Sequence, residues 1–386
     1  MANLILKFQI TSSNLSKQRI RFGQLMFKFL KTNLLSLVQL QQISRALLRP
    51  LLKLKSLKLK SLPGLIILNS LLVISAQAQV APAIHPPLQN QEFRVTLLGT
   101  GSPPPTMRRF GPAVLVQAAG QNLLIDSGRG VTQRLFQLGI KLGAIDAVFI
   151  THLHSDHIVG IPDLWLTGWL EAAYAQRKGP FRIWGPAGTR SMMGYLEKAY
   201  DWDIKQRIAD QGLKAENVAV QANEVADAAV VYQSNGLKVT AIEVDHGDLL
   251  KPAFGYRIDY DGRSVVVSGD TKPSENLITR SAGVDLLIHQ VAAVRPELLK
   301  DPVYQVILDH HTKPEEAGQV FTRVKPKLAV FYHFVLLGTA KIPPVSEKDV
   351  LEMTRRTYSG PLILGEDLMA FRIGREAVEQ VQPIAK

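Results

Sequence analysis

With 386 residues, 46% hydrophobic and 20% charged, the chain is long enough for one large domain with a full core or for two smaller ones. It has no cysteine, which excludes disulfides, a thiolate nucleophile and any cysteine-based metal site. Residues 1–91 carry twelve of the 45 Lys and Arg and none of the 33 Asp and Glu, so the +12 formal charge belongs to the leader; residues 92–386 hold 33 of each sign, and bulk charge lends nucleic-acid binding no support there.

The leader reads as an address. A basic stretch, KLKSLKLKSLP (53–63), precedes the apolar run GLIILNSLLVIS (64–75) and the small-x-small triplet Ala76-Gln77-Ala78, the pattern of a signal-peptidase site. Twelve residues fall short of the roughly 20 that a membrane span needs. The expectation is an exported, periplasmic protein with a leader over 1–78, the alternatives being membrane-anchored or cytoplasmic, and no stable membrane partner. Residues 79–91 read as a Pro-rich linker in which His85 is a solvated residue. The folded domain is then 92–386.

Taken in order, FRVTLLGTG (93–101), AVLVQAA (113–119) and NLLIDSG (122–128) read as strands. A short amphipathic helix follows at 130–139, then a buried strand, DAVFITH (146–152), and a long helix over 163–176. RIWGP (182–186) is a strand and 189–213 is mostly helical. The second half repeats the style, with strands at 237–247, 253–262, 263–270, 284–290 and 327–334 and helices at 273–283 and 313–324. This alternation predicts an α/β fold of two mixed sheets packed together with helices outside. The polar residues of interest fall just after apolar strands: Thr151–His157, His246, Asp270, His289 and His333. Strand ends are where loops gather into a site in such folds.

THLHSDHIVG (151–160) places three histidines and an aspartate within six positions. His152 and His154 are two apart at a strand end and point to one side, while Asp156 and His157 face a second point where a helix begins. Neutral imidazole and carboxylate suit zinc, and mixed N/O ligation also tolerates iron or manganese. The apolar segment that follows, IVGIPDLWLTGWL, buries the turn, so solvent does not compensate these groups and a cation does.

This motif, with LLGTGSPPP before it and SGDT after it, resembles the metallo-β-lactamase superfamily, closest to its ribonuclease Z-like and arylsulfatase-like branch, over roughly residues 93–373. The resemblance implies an αββα sandwich with two divalent metal ions, zinc above all, along one edge. It places His152, His154 and His246 on one ion, Asp156, His157 and His333 on the other, and Asp270 between them. In ILDHHTKPEEAG (307–318) it makes His311, rather than His310, the residue that protonates the leaving oxygen. Asp126 matches a buried carboxylate that orients the ligand loop. Arg129 is read as a surface ion pair or a contact to an anionic substrate, and His289 as support for the site.

What this implies is a hydrolase in which two ions lower the pKa of a shared water, with Asp156 accepting a proton and His311 donating one. Family members that process transfer RNA carry a long arm between the positions matching His246 and Asp270; here only 23 residues separate the two. The expectation from sequence is therefore a small anionic ester, aryl sulfate or phosphodiester, with nucleic acid disfavoured and a homodimer left open. A 3′-transfer-RNA endonuclease of the ribonuclease Z type is the alternative, followed by a lactonase or thioesterase and by a noncatalytic or redox metal protein.

Overall fold

The computed structural model describes residues 92–382; the leader over 1–78, the linker over 79–91 and His85 lie outside the described residues. The first half runs β1 (Arg94–Gly99), β2 (Ala113–Ala118), β3 (Gln121–Ile125), α1 (Val131–Gln137), β4 (Ala147–Phe149), α2 (Ser155–Ile158), α3 (Ile161–Gly168), β5 (Phe181–Gly185), α4 (Thr189–Ala199), α5 (Asp201–Gln211) and β6 (Val220–Glu224). The second half runs β7 (Val230–Ser234), β8 (Leu237–Val244), β9 (Ala253–Tyr260), β10 (Arg263–Val267), α6 (Glu275–Arg280), β11 (Leu286–Val294), α7 (Pro302–Leu308), α8 (Pro314–Val324), β12 (Leu328–Leu337), α9 (Glu347–Arg355) and β13 (Leu362–Leu364). β14 (Ala370–Ile373) and β15 (Val378–Val381) close the chain.

These strands form two mixed sheets, in the orders β15-β14-β1-β2-β3-β4-β5-β6 and β13-β12-β11-β10-β9-β8-β7. The apolar strand runs divide by period two into three layers of core. Val114 and Val116 of β2 meet Val265 and Val267 of β10 between the sheets. Leu115 faces outward onto Leu135, Leu164 and Trp165 of α1 and α3. On the other side, Val266 and Leu287 pack against Leu277, Val320 and Phe321 of α6 and α8. The αββα sandwich expected from the sequence is the observed fold.

The chain directions matter for the site. β3, β4 and β5 are mutually parallel, as are β10, β11 and β12. β8 and β10 are each antiparallel to β9, so they run the same way. The segments that follow β4, β8 and β10 therefore meet at one edge of the sandwich.

The helix expected over 163–176 ends at Gly168. The chain then folds back on itself: Gln176 N–H donates to Leu170 O, Arg177 N–H donates to Gly168 O, and Gln176 turns to a φ of 66°. The buried guanidinium of Arg177 holds this return by donating to the carbonyls of Trp165 and Asn217. Local helix propensity loses here to tertiary contacts. Among the described residues no helix is long and apolar enough to cross a membrane.

Candidate metal centre

β4 ends at Phe149 and the chain turns through Thr151–His154 into α2, a single helical turn carrying Asp156 and His157. His152 Nε2 lies 3.0 Å from His154 Nδ1, and His246 Nε2 lies 3.2 Å from the same atom. His157 Nε2 lies 3.2 Å from His333 Nε2, which is itself 3.2 Å from Asp156 Oδ2. Two groups therefore form, His152-His154-His246 and Asp156-His157-His333, each with its ligand atoms within 4.8 Å of one another.

Asp270 stands between them. Its Oδ2 is 3.9 Å from His152 Nε2 and 4.0 Å from His246 Nε2 on one side, and 3.5 Å from both His157 Nε2 and His333 Nε2 on the other. Its Oδ1 is buried and meets no hydrogen-bond donor among the described residues. Gly269 before it adopts a φ of 61°, and a Cβ there would stand 2.5 Å from Phe254 O, so only glycine lets the loop bring Asp270 inward.

Three of the imidazoles, those of His152, His157 and His246, are aimed by a partner on the far nitrogen. His246 Nδ1–H donates to His310 O at 2.9 Å, and His157 Nδ1–H donates to Asp126 Oδ2 at 2.8 Å. Asp126 also accepts from Thr151, from the backbone N–H at 2.8 Å and the hydroxyl at 2.9 Å. His152 Nδ1 meets the same hydroxyl at 3.0 Å. Thr151, which opens the strand-end motif in the sequence, takes a scaffold role that the sequence pattern does not specify: it links Asp126 to His152.

His333 is delivered differently. β11 and β12 pair in register up to Gln290↔Tyr332, then resume at Val291↔Phe334. His333 is the extra residue, a bulge with a φ of 45°, which re-aims its side chain out of the strand alternation. Left-handed backbone is uncommon for a residue with a Cβ, and such strain collects at functional sites; Asp126, at 61°, shares it.

A cation fits this donor set. Burial pushes His152, His154 and His246 below the ordinary imidazole range, His246 to about 4, so their facing nitrogens carry unprotonated lone pairs. At His157 burial acts the same way, but the carboxylates of Asp126 and Asp270 overcome it and hold its pKa well above the usual value, the pull that a cation at the same point would relieve. Lone pairs converging on a point beside a buried carboxylate with an unused oxygen are what divalent ions compensate.

His311 also reaches the cluster. Its Nδ1–H donates to Ile307 O at 2.7 Å, which turns Nε2 to 3.3 Å from Asp270 Oδ2. Burial opposes its charge, and the hydrogen bond and charge of Asp270 win, holding its pKa above the usual value. His310 belongs to none of the candidate ligand groups; its ring lies against Gly247 and 5.9 Å, edge-on, from the His246 ring. Two expectations are corrected. His289 lies on the outer face of β11, its ring 5.7 Å from that of Phe321, with Nδ1–H donating to Gln290 O, and it makes no hydrogen bond to a clustered residue. Arg129 is exposed and donates to the Pro103 carbonyl at 3.4 Å, and no acid pairs with it among the described residues, which corrects the surface ion pair.

Comparison with known proteins agrees with this architecture. The model of the beta-lactamase superfamily domain matches residues 121–334. Ribonuclease Z of Mycolicibacterium gilvum (strain PYR-GCK) is 36% identical over 279 residues, covering 72% of this chain and 94% of that protein. The chain belongs to the metallo-β-lactamase superfamily, in its ribonuclease Z-like branch. Ribonuclease Z of Mycobacterium bovis (strain BCG / Pasteur 1173P2) is 35% identical over 283 residues, covering 72% of this chain and 96% of that protein. Human tRNase Z, short form, superposes with a TM-score of 0.52 at 24% identity, covering 72% and 98% of the two chains, a likeness of fold alone. Within this superfamily the chain is a metal-dependent hydrolase. The curated relatives favour the ribonuclease Z alternative over the aryl sulfate ester that the sequence suggested.

Proposed function

We propose that the chain is a metal-dependent phosphodiesterase that cleaves RNA, with 3′ processing of transfer-RNA precursors as its reaction. The observation that carries this reading is the match to proteins named Ribonuclease Z over 94% to 97% of their length at 34% to 36% identity.

His152, His154 and His246 would hold one ion, Asp156, His157 and His333 the other, with Asp270 shared. When bound, divalent ions at such a site acidify water and neutralise charge on phosphoryl oxygens. The chain's own residues supply the rest. Asp126 and Thr151 orient His157 and His152 and keep their far nitrogens occupied. Asp156, beside His333, accepts a proton from the attacking water. His311, its Nδ1 tied to Ile307 O, presents Nε2 to the leaving 3′ oxygen and donates the proton that lets it depart; a positioned acid of this kind contributes about 10²–10⁴-fold.

A second reading, a smaller phosphodiester, draws on one observation. The interval between His246 and Asp270 is filled by β9 and β10, leaving no inserted arm to grip a large RNA. Transfer-RNA processing also requires the enzyme where RNA is made, which favours the cytoplasmic or membrane-anchored alternatives for residues 1–78 over export. The test is direct: the full chain with zinc is incubated with a precursor transfer RNA, bis-p-nitrophenyl phosphate and p-nitrophenyl sulfate. Cleavage of the precursor at its 3′ side is expected; turnover of the diester with intact RNA selects the second reading, and turnover of the sulfate alone rejects both.

A further inference from the structure

A cavity of about 220 Å³ opens beside the His152–His154 edge of the cluster. Those two histidines close its inner end, and its walls are Leu153, Pro186, Leu249, Leu250 and Pro252. Lys251 stands among them, its ammonium 2.9 Å from the exposed Asp248 carboxylate. Leu249 is 98% exposed. It belongs to none of the hydrophobic clusters, so folding does not explain a leucine there. A single exposed apolar side chain is ordinary on a protein surface; this one lines a cavity that ends on metal-ligating residues.

Size, lining and charge together define an occupant. The volume lies below the roughly 300–1,000 Å³ of pockets that enclose a whole drug-sized ligand, so the cavity takes one ring system. Its side walls are leucine and proline, surfaces that meet a flat apolar face. Its inner end is the cluster where a phosphoryl group reacts, and its one cation, Lys251, is held only by an exposed ion pair, which is worth little and exchanges readily onto a phosphate. We propose that this cavity is the subsite for the nucleobase carried next to the scissile phosphate, with Lys251 meeting the adjoining backbone phosphate.

That the ring is a nucleobase rests on the RNA reading above. Apart from Lys251 and the two ligand histidines, the lining offers no side chain that hydrogen-bonds a base edge. The subsite therefore senses the presence of a base rather than its identity, as sequence-tolerant stacking does. All four bases are accepted at this position, and an abasic nucleotide is not.

Two esters with the same leaving group test this: the p-nitrophenyl ester of thymidine 5′-phosphate, and methyl p-nitrophenyl phosphate, which has no base. The zinc-loaded full chain prefers the nucleoside ester by kcat/KM. Leu249→Asp lowers that preference by about tenfold, the low end of what one lost apolar contact costs in discrimination. Val230→Asp, at an exposed apolar position on the edge strand β7, keeps the wild-type preference. Equilibrium dialysis gives a readout free of turnover: Leu249→Asp weakens thymidine 5′-monophosphate more than inorganic phosphate. An unchanged preference in Leu249→Asp, or none in the wild type, overturns the subsite even if precursor RNA is cleaved. A preference that collapses in Leu249→Asp while the wild type leaves RNA intact keeps the subsite and overturns the RNA reading.

Discussion

The two sheets bring their ligands to the same edge by opposite means. The first contributes His152, His154, Asp156 and His157 from one turn after β4, and a single carboxylate organises that turn: Asp126 binds the Thr151 N–H, the Thr151 hydroxyl and His157. The second contributes His246, Asp270 and His333 from three separate segments, each aimed by its own backbone device. These are the His310 carbonyl, the left-handed Gly269 and the β12 bulge. A contiguous motif is pre-organised locally. A dispersed set exists only when the register of a whole sheet is right, so metal binding reports on folding of the second sheet more than the first.

Removing the metal tests both halves at once and has the largest expected effect. Chelation abolishes turnover and lowers the Tm by about 10 °C, the scale expected when a ligand present at 1,000 times its Kd is lost from a domain of this size. A scanning-calorimetry Tm that does not move would mean that the second sheet holds its ligands without help. Next is Asp270→Ala. Its Oδ2 lies within 4.0 Å of four candidate ligand imidazoles and of His311. Bound metal measured by mass spectrometry falls from two ions per chain to one or fewer, and activity falls by more than about 10³-fold, beyond the usual cost of one lost electrostatic donor. Two ions retained in this variant would remove Asp270 from the shared position.

Asp126→Ala probes the first half alone. It breaks three hydrogen bonds behind the turn but touches no ligand atom that faces the cluster. Metal affinity falls by about 10–100-fold, the cost typical of partners that orient a ligand, and a competition titration reads it. Excess metal restores much of the activity, whereas Asp270→Ala is not rescued. Equal rescue in both variants would erase the distinction between a local and a dispersed half.

Legibility in the sequence follows the same division. The turn at 152–157 was readable because its ligands share one local spacing, and the sandwich was readable from apolar runs separated by turn residues. His246 and Asp270 stood out as polar residues closing apolar strands. The pattern misleads where both faces of a strand are buried. LLIHQ and AVFYHF each place a histidine after an apolar run, and period two does not tell which face is which. His289 continues the alternation of β11 and faces the helices, while His333 leaves it through a bulge and faces the cluster. A bulge depends on the neighbouring strand, and no local signal in β12 announces it. The φ of 61° at Asp126 is hidden for a similar reason, since the strain is held by its bonds to Thr151, His157 and Phe149.

His289→Leu therefore has the smallest expected effect on the site and the most diagnostic value for that contrast. The ring is fully buried, its Nε2 has no partner among the described residues, and burial pushes its pKa down to about 4. It is neutral in the folded protein at pH 7, so leucine removes no charge but does remove the Nδ1–H bond to Gln290 O; stability falls by about 1–3 kcal/mol, the cost of a buried acceptor losing its donor, while metal content and turnover stay at wild-type values. The sign of the pH dependence follows from the depressed pKa. An unfolded histidine, near 6.5, takes a proton as the pH falls below that value while the folded one does not, so this residue lowers wild-type stability between about pH 6.5 and 4. The leucine variant lacks that penalty, and urea melts at pH 7 and pH 5 should show the variant gaining on the wild type at the lower pH. A variant that instead loses bound metal at pH 7 would return His289 to the site and make the two strand-end histidines alike.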